Sequence, residues 1–154
     1  MSRFVSAKEI ALINSVTEEI IEDFLSMTIV VYKVNPEFSE FDDVNGESAN
    51  KAFDPGLQIA CLVRFLEPEV STTGEDGVSQ IRQIEAYIHK KHLTDKSMYF
   101  DEGDYVFWDD QYFEVKAISE PQIFDGLPTN KIMVKIECEG VGLSSINILE
   151  REIY

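Results

Sequence analysis

Apolar and polar residues alternate with a period of two along much of this chain. The alternation is clearest at residues 57–66 and 131–138, and it is the repeat of a β-strand that buries one face. Residues 28–34 predict another strand because they are dense in β-branched side chains. Residues 81–89 satisfy both strand and helical spacing, and we assign them to a strand because the turns around them suit an antiparallel meander.

The N-terminal segment follows helical spacing instead. Ser6 and Glu9 have the spacing of a capping box, in which each side chain accepts from a free backbone N–H of the first helical turn. Apolar residues then recur at helical spacing with acidic residues among them: Ile10, Ile13, Ile20, Ile21 and Phe24. We expect an amphipathic helix over residues 6–25. It either covers the open end of a sheet, which is the commoner use, or packs on another subunit.

Residues 103–118 predict a β-hairpin around which the fold is organised. Two runs of aromatic and β-branched residues flank Asp109 and Asp110, which would form a two-residue loop. The candidate core residues of the hairpin are Val106, Trp108, Phe113 and Val115, with Ala117 on the same face. The opposite face carries Tyr105, Phe107, Tyr112 and Ile118. Since both faces are apolar, we place the hairpin in a small antiparallel barrel or sandwich, or against a partner.

Two connections are candidates for contact with partner proteins. Residues 35–55 are polar with scattered phenylalanines, which suggests a surface connection pinned by aromatic contacts or one that hides a short element. Residues 67–79 form the clearest turn segment, either an ordinary hairpin tip or a protruding interaction loop. The candidate partner or channel-loop residues are Glu67, Glu69, Gly74, Glu75, Asp76 and Gly77.

Length and composition fit one domain covering residues 1–154. Within it we expect the helix at 6–25, a β-barrel core at 27–138, and a C-terminal arm or last strand at 139–154. The formal net charge of −16 disfavours binding of nucleic acid by electrostatic attraction. No segment has the pattern of a signal peptide or of a membrane span, so we expect a reducing, cytoplasmic compartment.

No combination of residues in the sequence announces a reaction. Asp109 and Asp110 are typical of turn geometry, because Asp tolerates the positive φ of such turns, and they are a poor acid/base pair. Cys61 and Cys138 lie in apolar runs, where cysteine behaves as a small hydrophobic residue. We therefore predict no catalytic residue and no cofactor.

A metal site at the two histidines is also disfavoured. His89 and His92 are close enough in sequence to share an ion, but no third or fourth ligand lies at a recognisable spacing. Lys90 and Lys91 add positive charge that opposes the binding of a cation. We expect surface histidines and no metal.

Three parts of the chain together suggest a family. The first is the helix that leads into residues 28–34, and the second is Asn45-Gly46-Glu47-Ser48 ahead of Phe53-Asp54-Pro55 and the strand at 57–66. The third is Phe100-Asp-Glu-Gly-Asp-Tyr-Val-Phe-Trp with Tyr112-Phe-Glu-Val. Their order, over about residues 10–120, resembles that of tailed-bacteriophage neck proteins, the head-completion or stopper components between portal and tail.

The resemblance implies a non-enzymatic structural protein of the virion neck, made in the host cytoplasm. As a head–tail connector it would form a ring, contact other neck, portal-side and tail proteins, and surround part of the DNA channel. DNA would pass without specific binding, and no membrane would be involved. An acidic ring repels DNA, and the apolar excess of the hairpin and C-terminal tail would be buried between subunits.

Two other classes of protein compete with the connector. The alternative is a small acidic β-barrel protein-binding module of the bacterial cytoplasm. It would be a monomer with an aromatic groove around Tyr105, Phe107 and Tyr112. An enzyme is the least favoured class, because it requires clustered titratable groups that the sequence does not bring together.

Overall fold

The computed structural model describes residues 6–25, 27–35, 40–41, 48–50, 52–67, 69–72, 78–121 and 131–142. The fold is mainly β with an N-terminal helix, which confirms the predicted class. The described residues form two helices, α1 (Ala7–Glu19), which continues as a π-helical segment (Ile20–Leu25), and α2 (Lys90–Asp95). The first strands are β1 (Thr28–Tyr32), β2 (Glu40–Phe41), β3 (Ser48–Asn50), β4 (Leu57–Ala60), β5 (Leu62–Phe65) and β6 (Glu69–Thr72). The remaining strands are β7 (Val78–Ile81), β8 (Gln83–His89), β9 (Tyr105–Trp108), β10 (Gln111–Ser119) and β11 (Met133–Gly140).

Seven strands form one antiparallel sheet in the order β4-β1-β9-β10-β11-β8-β5. The two end strands, β4 and β5, are separated only by Cys61, so the two edges of the sheet meet there and the sheet closes into a barrel. The Cys61 N–H donates to the Met27 carbonyl at 2.9 Å. The single strand predicted at 57–66 is therefore two, because its first half pairs with β1 and its second half with β8.

The predicted meander is correct for β5 and β8, which are antiparallel neighbours, and wrong beyond them, because β8 lies against β11 and not against the following hairpin. Strand β1 pairs with β4 and β9, and β9 and β10 are followed in the sheet by β11, which lies against the earlier strand β8. Sequence alternation identifies a strand and its buried face, but it does not choose the partner. Closure of the barrel determines which strands pair.

The interior of the barrel is filled by every second residue of its strands, as the period of two requires. Its buried side chains on the strands, and at Cys61 between β4 and β5, are Ile29, Val31, Ile59, Cys61, Val63, Ile84, Ala86, Ile88, Val106, Phe113, Val115, Val134, Ile136 and Cys138. Leu93 from α2 and Phe100 from the segment that follows it pack against the same cluster. We call this set the barrel interior.

A smaller apolar cluster joins the N-terminal helix to the barrel. Ile21, Ile132 and Met133 are buried together, with Ile13 and Tyr87 among the half-buried residues around them. The predicted capping box is confirmed, since Ser6 Oγ accepts from the Glu9 N–H at 3.4 Å and Glu9 Oε2 accepts from the Ser6 N–H at 2.6 Å. No residue of α1 itself is buried, so the π-helical segment makes the firmer contact.

The long segment at 35–55 contains a short hairpin. Strands β2 and β3 pair with each other, and Val34 forms an isolated bridge with Phe53. The predicted C-terminal arm at 139–154 begins within β11, which runs to Gly140. The Gly140 N–H donates to the Arg82 carbonyl at 2.7 Å, and a Cβ at this position would meet that carbonyl at 3.1 Å. Residues 143–154 lie outside the described residues.

Candidate functional site

The central hairpin has the predicted register. Trp108 lies opposite Gln111, and Val106 lies opposite Phe113. Asp109 and Asp110 have φ values of 49° and 57°, so both adopt the left-handed conformation of a type I′ turn. Both are exposed and form the tip of the hairpin, which is a structural use of the pair.

The candidate core residues of the hairpin lie on its inner face. Val106, Phe113 and Val115 are buried in the barrel interior, while Trp108 is half-buried and packs against it. The Trp108 ring also contacts the ring of Phe65, with centroids 4.8 Å apart. Phe65 is more than half exposed. The hairpin thus reaches from the interior to the surface of the barrel at Trp108.

The predicted assignment of side chains to the two faces of the hairpin fails beyond Val115, because β10 contains a bulge. Val115 lies opposite Cys138, but Ala117 lies opposite Glu137, so Lys116 is an extra residue in the ladder. Directly opposite residues share a face of the sheet, and Ile118 therefore lies on the face of the buried Ile136. Ala117 and Ile118 have exchanged the sides that simple alternation predicts.

The Gly-Asp entry to the hairpin is a structural device. Gly103 has a φ of 94°, which glycine adopts without strain. The Asp104 side chain is only 2% exposed, and it accepts from the Asp101 N–H at 2.9 Å and from the Val34 N–H at 3.1 Å. Burial raises the pKa of Asp104, and the two backbone hydrogen bonds oppose that shift. This carboxylate ties the hairpin to the end of β1.

The outer face of the hairpin carries a cluster of aromatic rings, which we call the aromatic face. Phe107 and Tyr112 lie opposite each other with centroids 4.8 Å apart, and Tyr32 lies 6.1 Å from Tyr112. All three side chains are half-buried. Tyr105 is buried, with the edge of its ring against Phe53 at 5.0 Å. Half-exposed aromatic rings offer contact area at little cost in conformational entropy.

The candidate partner segment at 67–79 contains two strands that pair as a ribbon. Beyond the pairing of β5 with β8, the Leu66 N–H donates to the Gln83 carbonyl at 3.1 Å, and β6 then pairs with β7. Glu67 is exposed at the start of the ribbon, and Glu69 is the first residue of β6, opposite Ile81. Gly74, Glu75, Asp76 and Gly77 lie outside the described residues. Within the segment from 67 to 79, predicted as a turn, residues 69–72 and 78–79 are strand.

The N-terminal helix has a second apolar face that sequence reasoning missed. Leu12, Val16 and Ile20 follow one another at intervals of four residues, which places them on one side of the helix. Their side chains are 64%, 44% and 46% exposed. Ile20 and Ile21, predicted to share a face, lie on different sides, since Ile21 is buried. We call Leu12, Val16 and Ile20 the exposed helix stripe.

The prediction of surface histidines is wrong. His89 is 3% exposed and His92 is 8% exposed. The His89 ring caps α2, because its Nδ1 accepts from the Lys91 N–H at 3.2 Å. The short helix α2, which was not predicted, turns both rings toward the protein.

Neither of the two cysteine thiols is exposed to solvent. Cys61 and Cys138 both lie in the barrel interior, and burial raises the pKa of each to about 12. Both are therefore protonated at neutral pH and behave as apolar side chains. Within the described ranges, no helix is long and apolar enough to cross a membrane.

Comparison of the chain with protein-family models and with curated proteins gave no match. The described residues thus form a closed barrel with two apolar surface features, the exposed helix stripe and the half-buried aromatic face, and with a paired ribbon of β6 and β7.

Proposed function

We propose that this chain is a structural protein of the tailed-bacteriophage neck, a stopper-type head–tail connector that works as a ring between the portal side and the tail. The observation that carries the proposal is the exposed helix stripe. The barrel is already closed and its interior filled, so Leu12, Val16 and Ile20 are not needed to complete the fold. Apolar side chains aligned on an exposed helix favour burial against another chain.

A ring requires two different contact surfaces on each subunit, because each copy meets the next head to tail. The exposed helix stripe is one candidate. The aromatic face, with Tyr32, Phe107 and Tyr112, is a second and lies on a different element. Aromatic residues are favoured at the centres of protein interfaces, which supports this assignment.

The net charge also supports a role around DNA that involves no adhesion. At −16, the chain carries 29 acidic residues against 13 basic ones. Many copies arranged around a channel would produce a negative field that repels the phosphate backbone. DNA could then pass without being held, as a connector requires.

The alternative function is a monomeric protein-binding module of the bacterial cytoplasm, and the aromatic face is the observation that favours it. The rings of Tyr32, Phe107 and Tyr112 would bind an apolar or proline-rich segment of one partner. Such a module would stay monomeric at all concentrations and would need no helix stripe.

The test is the mass of the purified protein by light scattering across concentration, alone and then mixed with neighbouring virion proteins from the same source. We expect a ring, either with the chain alone or in the presence of a neck partner. The variant Leu12→Gln/Val16→Gln/Ile20→Gln should lose the ring and keep its melting temperature, because Gln preserves helix propensity.

The matched control changes a parallel exposed line on the same helix, as Ala11→Gln/Ser15→Gln/Glu19→Gln. This variant should assemble like the wild type. A wild-type protein that stays monomeric with every neck partner would contradict the connector and favour the binding module. Assembly that persists in the helix-stripe variant would reject the stripe as the contact surface.

A second variant tests the ribbon. Deleting residues 74–77 should leave the barrel folded, since β5 and β8 pair before the ribbon begins, and should stop assembly with the neck partners. Far-ultraviolet circular dichroism checks the fold, and light scattering checks assembly. Normal assembly of the deletion variant would show that this segment has no part in assembly.

A further inference from the structure

We propose that Glu18, Glu22 and His92 form a binding site for a divalent metal ion of the zinc class. One nitrogen or oxygen atom of each side chain lies within 4.8 Å of the other two. The sequence separates the carboxylates from the imidazole by about 70 residues, and the fold brings them together where the N-terminal helix meets α2. The site does not depend on the proposed role in the neck.

The two carboxylates are positioned by the helix. Glu18 is near the end of α1 and Glu22 lies four residues later in the π-helical segment, so both point from one side of it. His92 lies in α2, held against the barrel by its neighbour Leu93, which packs on the barrel interior. Rigid elements thus present ligands from two sides.

The spacing suits a tetrahedral ion. Nitrogen and oxygen ligands bind zinc at about 2.0–2.1 Å, which places neighbouring ligand atoms about 3.3 Å apart. His92 Nδ1 and Glu22 Oε1 are 3.1 Å apart. The remaining distances, at most 4.8 Å, close with a change of side-chain rotamer at Glu18, which is only half-buried.

The burial of His92 holds the imidazole ligand in place, because the residue is 8% exposed and its Nδ1 faces Glu22. Among the described residues, Nε2 of His89 and Nε2 of His92 are buried and have no hydrogen-bond partner. Buried polar atoms are nearly always paired, so these two nitrogens are exceptions, and an imidazole that binds an ion through Nδ1 carries its hydrogen on Nε2. The rings meet edge to face with centroids 5.9 Å apart. Glu18 and His89 also line a cleft beside the site, together with Lys90, Lys91 and Lys131.

The chemistry of the ligands selects the class of metal. One imidazole and two carboxylates suit zinc and other first-row divalent ions, whereas calcium and magnesium prefer oxygen ligands alone. Three protein ligands leave a fourth position for water. Bound there, the ion would connect the N-terminal helix to α2.

Lys91 competes with the metal for Glu18. Its Nζ lies 2.5 Å from Glu18 Oε1, and this hydrogen bond lowers the pKa of Glu18. Lys91 is exposed, so its ammonium group can swing into solvent when a cation replaces it. Removal of Lys91 should therefore raise the affinity for the metal. If the Lys91–Glu18 pair has only a structural role, removal of Lys91 should not raise metal affinity.

The experiment uses the full chain after treatment with a chelator and dialysis. Zn²⁺ is titrated by calorimetry, the melting temperature is followed as Zn²⁺ is added, and Co²⁺ serves as a spectroscopic probe of tetrahedral coordination. We expect one ion per chain and a melting temperature that rises with Zn²⁺ concentration, because a ligand of the folded state stabilises it.

Variants at the carboxylates carry the test, since substitution of the buried His92 could disturb the fold. Glu18→Gln and Glu22→Gln should each weaken Zn²⁺ affinity by about tenfold or more, as loss of metal-site interactions does. Glu19→Gln is the matched control on the same helix and should bind like the wild type. Lys91→Gln should tighten binding, whereas Lys90→Gln, which removes a pair with Glu120, should change it little.

Three results would overturn the site. They are an absence of stoichiometric binding in excess Zn²⁺, an unchanged Zn²⁺ affinity in Glu22→Gln, and thiolate charge-transfer bands with Co²⁺. The last would locate the ion at Cys61 or Cys138 in place of the helix junction.

Discussion

The barrel interior and the junction between the N-terminal helix and the barrel are stabilised in different ways. The barrel interior is a continuous apolar cluster, and the only side-chain heteroatoms of its residues are the sulfurs of the two protonated thiols. Among the described residues, the junction buries only Ile21, Ile132 and Met133 as apolar side chains, and beside them lie two histidines and the Lys91–Glu18 ion pair. One region is held by packing, and the other depends heavily on polar contacts.

This difference indicates where a ligand can act. Buried apolar side chains fill the barrel interior and leave it no unpaired polar atom among the described residues, so binding there would require unpacking the core. The junction has buried nitrogens without partners and carboxylates near them. A metal or a protein partner that binds at the junction changes how firmly the helix is held and leaves the barrel intact.

The largest expected effect comes from the barrel interior. Phe113→Ala should lower the free energy of unfolding by about 3–5 kcal/mol, because a 1% exposed ring leaves a cavity that the strands cannot close. Urea denaturation at neutral pH measures it. An unchanged melting temperature would contradict the placement of Phe113 in the core.

Ile21→Ala measures the junction in the same way. We expect a loss of about 2 kcal/mol, the low end for Ile→Ala, because few apolar side chains surround this residue and the helix can shift to close the gap. Leu12→Ala on the exposed helix stripe is the control and should change the free energy of unfolding by less than about 0.5 kcal/mol. A loss at Ile21 as large as at Phe113 would remove the distinction between the two regions.

Asp104 is the polar exception on the barrel side. Asp104→Ala should cost about 1–3 kcal/mol, because the part-buried N–H groups of Val34 and Asp101 lose their acceptor. Asp104→Asn keeps one acceptor and should cost less. Equal stability of the Ala variant and the wild type would show that these N–H groups find other partners.

The smallest expected effect concerns Glu85, a buried carboxylate on the outer face of the barrel. The hydrogen bond from Lys135 at 2.9 Å lowers its pKa below the ordinary value of 4.5. An acid whose pKa is lowered in the folded state contributes stability above pH 4.5. This stability is lost as the pH falls through the pKa of the folded state. Glu85→Gln should therefore flatten the acid limb of the stability profile, by less than about 1 kcal/mol for a pair near the surface.

Urea unfolding of both proteins between about pH 3 and 6 tests this. The pH dependence that Asp104 contributes has the opposite sign, because burial raises its pKa and its ionised form is disfavoured in the folded state. The contribution of Asp104 to folding stability is largest below pH 3.8, the ordinary pKa, and is lost as the pH rises through the folded pKa. An acid limb that is identical in wild type and Glu85→Gln would exclude Glu85 as a source of acid sensitivity.

The sequence alone determined the local elements. Asp109 and Asp110, with apolar alternation on both sides, set the turn, the register and the inner face of the hairpin as far as Val115. Ser6 and Glu9 set the start of the helix. These features depend on backbone preferences and hydrogen bonds among residues a few positions apart, so the local sequence contains the necessary information.

Only the tertiary structure decided the rest. Closure of the barrel divided the strand at Cys61, and the bulge at Lys116 exchanged the faces of Ala117 and Ile118. The fold also buried His92 and brought it within reach of Glu18 and Glu22. The physical reason is that strand partners and clusters of distant side chains are selected by packing of the whole chain, which no local periodicity records.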